Sequence, residues 1–231
     1  MLLNNEKFRK RAKRIMIKKL GKLSLGILLF SIGIMMTVKA QIGYAPWDTF
    51  HYGLSTHIGL SYGVTAILVG AVTVGIAVIL GEQIGIGTLL NMSLIGIFCD
   101  LIIKYNLIKT PSSFILSVVM LVLGLVIMSF ASFFYISAGL GAGPRDSLMV
   151  ALTKKLKLPI GICRNIIEMT VLLTGWLLGG AVGVGTLLSA VLMGFIVQAS
   201  FKWLKFDAKA VRQENIAETL GLKIKASSIT N

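Results

Sequence analysis

Acidic residues are scarce in this chain. It carries 9 Asp and Glu against 23 Lys and Arg, and charged residues of both signs make up only 14% of its 231 positions. A soluble domain is about 25% charged, so too little polar surface is left to cover a water-facing fold. Cysteine is nearly absent. Cys99 and Cys163 exclude a disulfide framework and read as small apolar fillers. His51 and His57 share no helix face, and no metal-ligand spacing occurs. HExxH, GxSxG and Walker sequences are missing, and Gly139-x-Gly141-x-Gly143 follows no strand, so it is not a nucleotide fingerprint. These absences point away from an enzyme, and no metal or cofactor is expected.

What is present is apolar: 55% of residues are hydrophobic and the mean hydropathy is +0.86. The apolar residues lie in runs near the ~20 residues that cross ~30 Å of hydrocarbon. The runs predict an all-α polytopic membrane protein with about six transmembrane helices, at about 23–40, 62–80, 84–103, 114–137, 160–179 and 184–203. Pro159 and the Thr110-Pro111-Ser112 turn suit helix starts. Tyr44, Trp47, Tyr105 and Trp203 fall near span ends, where such rings favour the headgroup layer.

The net charge of +14 would suggest nucleic acid in a soluble protein. Here it orients the chain instead. Lys7, Arg9, Lys10, Arg11, Lys13, Arg14, Lys18, Lys19 and Lys22 precede the first run and face anionic lipid headgroups. Arg145, Lys154, Lys155 and Lys157 lie between the fourth and fifth runs, and Lys202, Lys205, Lys209, Arg212, Lys223 and Lys225 close the chain. The opposite loops carry only Lys39, Lys104 and Lys109. Six crossings place the rich segments on one side, which the positive-inside rule makes the cytoplasm of a bacterial plasma membrane. No nucleic-acid partner is implied. The tail after span six is mixed in charge, reads as solvated, and has a short helix near Glu214–Leu220.

The sequence also resembles itself. Shifted by 98 (144 − 46), Leu23–Ile103 aligns without a gap on the second half. Gly43, Pro46 and Asp48 meet Gly141, Pro144 and Asp146, and Gly85-Ile86-Gly87-Thr88-Leu89-Leu90 meets Gly183-Val184-Gly185-Thr186-Leu187-Leu188. Each half has three spans, so the second enters the membrane from the opposite face: two inverted three-helix repeats, a recurrent plan of secondary transporters. The expected organisation is a basic cytoplasmic N-terminus (1–22), a first repeat (23–103), an external linker (104–113), a second repeat (114–203) and a cytoplasmic tail (204–231).

Each half contains a short extra loop helix after its first span, opened by Gly-rich turns and Pro46 or Pro144. Asp48 and Asp146 follow two residues later, against the positive helix end. Such a helix either lies flat in the interface, with Asp a local cap, or re-enters the membrane and lines a watery cavity. Arg145 replaces Trp47 at the matched position and suits an anionic group or is a cytoplasmic loop charge. In span five, Arg164 and Glu168 share a helix face beside Asn165. Glu168 lies about 12 Å past the span start. A charge there costs about 2.5–3.5 kcal/mol and should face a partner or water. Asp48, Asp146, Arg145, Arg164, Asn165 and Glu168 are the candidate substrate-binding residues. Asp100 is read as interfacial, and the paired glycines as packing positions.

The GxAPWDxF and GxGPRDxLM segments and the paired GxGTLL segments resemble the YczE/YitT-like family of bacterial integral membrane proteins. The likeness covers about residues 20–205. It implies a multi-spanning plasma-membrane protein and brings no site residues with it. The function expected is a small secondary transporter or exporter of a small-molecule substrate. The alternative is a non-transporting membrane partner, an assembly or regulatory protein.

Overall fold

The computed structural model describes residues 2–158 and 160–219, with side chains given from Arg14 onward except at 160, 161 and 209. Pro159, Lys223, Lys225 and the side chains of Lys209 and of the N-terminal cations up to Lys13 lie outside that description.

All regular structure among the described residues is helical: α1 (Leu2–Lys39), α2 (Pro46–Ile58), α3 (Tyr62–Ile79), α4 (Ile86–Lys104), α5 (Phe114–Ala138), α6 (Pro144–Leu156), α7 (Ile160–Leu177), α8 (Val184–Trp203), a 3-10 turn (Ala208–Ala210) and α9 (Ile216–Thr219). Five are long and apolar enough to cross a membrane: α1 over Arg14–Lys39, α3, α4, α5 and α8. The helix at the expected fifth span, α7, is not among those five and carries Arg164, Asn165 and Glu168 in its first half.

Helix starts follow the local chemistry. Pro46 and Pro144 open α2 and α6, where a missing N–H costs nothing. Ser61 and Ser113 accept from Val64 N and Leu116 N at the starts of α3 and α5. No break separates a basic N-terminus from the first span, because α1 runs through residue 22 unbroken. Lys and Arg are good helix formers, and a helix already satisfying its backbone has no reason to end before lipid.

α1 and α5 form the centre. A Cβ on Gly33 would sit 2.8 Å from Gly124 O, and one on Gly26 2.7 Å from Tyr135 N, so the backbones approach closely. α4 flanks α1 and α8 flanks α5. The short helices cross over, with α2 packed on α7 and α6 on α3. α3 lies along α4, whereas α7 has no comparable seam with α8. Starts recur at a fixed offset: α2 and α6 begin at 46 and 144, and α3 and α7 at 62 and 160, each pair 98 apart (144 − 46; 160 − 62).

The tail is not free in solvent as its composition suggests. Glu214 N donates to Gly139 O (2.9 Å) and Ile216 N to Ile84 O (3.1 Å). Gln213 accepts from Gly141 N (3.0 Å) and donates to Ile136 O (3.2 Å). Asn215 Nδ2 donates to Gln83 Oε1 (2.6 Å), and Lys19 pairs with Glu214. The strap borders a cleft of about 350 Å³ with Glu82 and Lys154 on its other wall.

Candidate functional site

The two Gly-rich turns position the site. Gly43 and Gly141 have φ of +106° and +120°, a region open to glycine. Each turn is held by the GxGT segment of the other half. Gly185 N donates to Ile42 O (2.6 Å) and Gly87 N to Leu140 O (2.7 Å). Thr186 and Thr88 accept from Gly183 N (3.1 Å) and Gly85 N (3.3 Å) at the starts of α8 and α4. A Cβ on Gly183 would stand 2.7 Å from Ile42 O, and one on Gly85 2.0 Å from Leu140 O. The paired glycines therefore do more than let helices pack: they clasp the partner turn.

The clasps bring the first turns of α2 and α6 together. The Arg145 guanidinium lies over the Trp47 ring, 4.8 Å from its centroid, a cation–π contact. Its Nη2 is 4.0 Å from Asp48 Oδ1, so the matched positions Trp47 and Arg145 touch. Two helices flat on opposite faces of ~30 Å of hydrocarbon could not make that contact. Trp47 is 5% exposed. It is not a headgroup ring as its position suggests, because Arg145 and His51 cover it. Tyr44 is likewise stacked on Tyr52, centroids 4.7 Å apart.

Asp48 is buried and accepts from Tyr62 Oη at 2.8 Å. His51 lies one turn along the same face of α2, edge-on to the Tyr62 ring at 5.7 Å. Thr65 lies one turn beyond Tyr62 on α3. His51 Nδ1 and Thr65 Oγ1 are buried with no hydrogen-bond partner. Both unpaired atoms belong to the faces that Tyr62 and Asp48 join. A buried polar atom without a protein partner marks a place for water or ligand.

The second turn is less closed. Asp146 is half-buried and accepts from Tyr135 Oη at 3.0 Å. A Cβ on Gly143 would be 3.6 Å from both Asp146 Oδ2 and Asn91 Oδ1, so Asn91 of α4 borders the same turn. On α7, Arg164 Nε is 3.9 Å from Glu168 Oε1, with the side chains 56% and 30% exposed. Glu168 lies within electrostatic reach of Asp48, and Arg164 within that of Tyr135. Asn165 is exposed and joins neither pair. Asp100 ties α4 to the start of α3, accepting from Gly63 N (2.7 Å) and from Ser61.

The structure thus unites Asp48 with Arg145, places Asp146 and Glu168 around them, and leaves Asn165 aside. Sequence reasoning missed Tyr62, Tyr135, His51, Thr65 and Asn91. His51 alone carried a signal, its i+3 spacing from Asp48. The tyrosines reach their aspartates from other helices.

The chain is 40% identical over 178 residues to the uncharacterized membrane protein YczE of Bacillus subtilis (strain 168), covering 76% of this chain and 81% of that one. It is 31% identical over 180 residues to an uncharacterized protein of Haemophilus influenzae (76% and 82% covered). It is 27% identical over 178 residues to the uncharacterized protein YyaS of Bacillus subtilis (strain 168), covering 75% and 87%. No solved structure matches it. The resemblance to YczE holds over most of the membrane part, and the family of unknown function DUF6198 matches residues 17–202. The chain belongs to that family.

Proposed function

We propose that this protein is a small secondary transporter or exporter of the bacterial plasma membrane, with six spans in two inverted repeats and both termini in the cytoplasm. One observation carries the reading. The first turns of two short helices, one from each half, meet at a buried aspartate and an arginine. Helix N-termini converging between inverted repeats are where secondary transporters hold substrate. Irregular backbone such as the Gly43 and Gly141 turns is tolerated at membrane depth only inside protein or beside water. The 98-residue recurrence of helix starts and the crossed packing of α2 on α7 and α6 on α3 support the inverted arrangement. α7 serves as the sixth span, its Arg164–Glu168 pair turned toward the water-filled side. Arg145, Asp48, Asp146, Arg164 and Glu168 line the path, with Arg145 receiving an anionic group.

Uptake and efflux profiling tests this. A deletion strain and an overexpressing strain are compared for solute content, and Asp48→Asn and Asp146→Asn are re-expressed at wild-type level. A solute that changes in opposite directions in the two strains, and is lost in both variants, supports transport. Unchanged profiles, with one membrane protein co-purifying stoichiometrically, would replace it by the partner reading.

A further inference from the structure

We propose that Asp48 carries a coupling proton, exchanged through His51, and that its protonation frees Arg145 to take an anionic substrate group. This rests on the transport reading and adds the coupling ion to it.

The argument begins with compensation. An ionised carboxylate can accept about four hydrogen bonds. Asp48 is 1% exposed and has one neutral donor, the Tyr62 hydroxyl at 2.8 Å. Its nearest cation, Arg145, stands at 4.0 Å, beyond hydrogen-bond range. Arg145 is committed elsewhere, over Trp47. A buried charge with so little around it is costly. Taking up a proton removes that cost. In membrane proteins, Asp, Glu and His in sequence form proton relays.

The relay is present. His51 is 4% exposed, one turn from Asp48, and its Nδ1 has no partner. An imidazole can take a proton on one nitrogen and pass one on. Thr65 Oγ1 is buried and unpartnered on the facing helix, which gives a bridging water a second anchor. His51 stands one turn from Asp48 on α2 and against Tyr62; the groups that bear on Asp48 are Tyr44 and Tyr52 from α2 and its turn, Tyr62 from α3, Cys99 from α4, Arg145 from α6 and Glu168 from α7.

One proton moves in two transfers. A proton from hydronium binds the free nitrogen of His51, and the N–H bond on the other nitrogen breaks as an O–H bond forms on the Asp48 carboxylate, leaving the imidazole neutral. The attraction to Arg145 ends as the charge is neutralised. The guanidinium, whose side chain is 36% exposed, then meets an anion near the N-termini of α2 and α6. The proton leaves to water by the reverse path when the site faces the other side, and Arg145 returns to Asp48.

The full chain in lipid nanodiscs supplies the test. Infrared difference spectra between acid and alkaline buffer read the C=O stretch of a protonated carboxyl. In a Trp176→Phe, Trp203→Phe background, Trp47 emission reads the site directly. The band should be present in wild type, disappear in Asp48→Asn, and persist in Asp146→Asn and Glu168→Gln. Trp47 emission should titrate with the same midpoint and become flat in Asp48→Asn. Asp48→Glu, which keeps the carboxyl if Asn misfolds, should shift the midpoint without removing it. His51→Gln should slow proton uptake after a pH jump several-fold while the band remains. A band absent from wild type, or unchanged in Asp48→Asn, overturns the proposal. In sealed proteoliposomes, flux of the solute identified by the profiling is then read with and without an imposed proton gradient. An Asp48-dependent band together with a flux indifferent to that gradient overturns the coupling. An Asp48-dependent band with no flux of that solute refutes the transport reading while leaving the proton site standing.

Discussion

Removing the Arg145 charge gives the sharpest energetic test of the seam between the halves. At 4.0 Å from Asp48, two unit charges at an effective dielectric of ~20 attract by about 4 kcal/mol. Arg145 is 36% exposed, so water screening and the freezing of a long side chain cut this to about 1–2 kcal/mol. Arg145→Gln also strips the Trp47 ring of its cation, a further loss of about 0.5–1 kcal/mol. The cycle formed by Arg145→Gln, Asp48→Asn and the double variant isolates the charge pair, because the ring contact is lost equally in both arms that lack the arginine. Thermal unfolding of the protein in one detergent, followed by Trp47-independent light scattering, gives the four stabilities. A coupling of about 1–2 kcal/mol is expected, equivalent to roughly 2–8 °C between the additive and the measured double variant. At a pH alkaline to the Asp48 infrared midpoint, a coupling within ~0.3 kcal/mol of zero would mean that the two first turns do not meet as described.

Other outcomes follow from the same geometry. In α3, a Cβ on Gly63 would lie 2.0 Å from Gly96 O, whereas Gly75 has nothing within 4 Å. Gly63→Ala should therefore cost about 1–3 kcal/mol and Gly75→Ala should be neutral or stabilising by up to about 1 kcal/mol; equal melting temperatures would refute the α3–α4 seam. Reporter fusions after Lys109 should read outside, and those after Lys157 and at the C-terminus inside; an external C-terminus would end the six-span reading. Gln213→Ala removes two hydrogen bonds from the second turn, worth about 0.5–1.5 kcal/mol each. It should speed labelling of Asn91→Cys by an impermeant maleimide several-fold in inside-out vesicles, and an unchanged rate would show that the strap does not guard that turn.

Much of this fold was written locally. Pro46 and Pro144 marked the short helices, and the apolar runs marked the five helices long and apolar enough to span, while α7, at the sixth expected run, is not among them. What escaped was contact at long range. Nothing near Asp48 in the chain names Tyr62 as its donor, and Trp47 looked like a headgroup ring until Arg145 was found upon it. The basic residues before 23 and the first apolar run share one helix, since a change of solvent along α1 is not a change of backbone. The tail misled because its polar side chains bond to backbone groups of distant turns, which leaves no apolar signature.

That strap sets an order of events during synthesis. Ile84 O, Ile136 O, Gly139 O and Gly141 N are made early, yet their partners at Gln213, Glu214 and Ile216 follow α8 out of the ribosome. Throughout elongation Gly139 O and Gly141 N at the second turn, and Ile84 O before α4, wait without these partners, each a hydrogen bond short. The spans can be inserted and packed before this, so the docking of the tail is a late, separate act. A chain released shortly after Trp203 would then be correctly threaded but unlatched, a distinct species that a membrane protease reading exposed backbone could recognise.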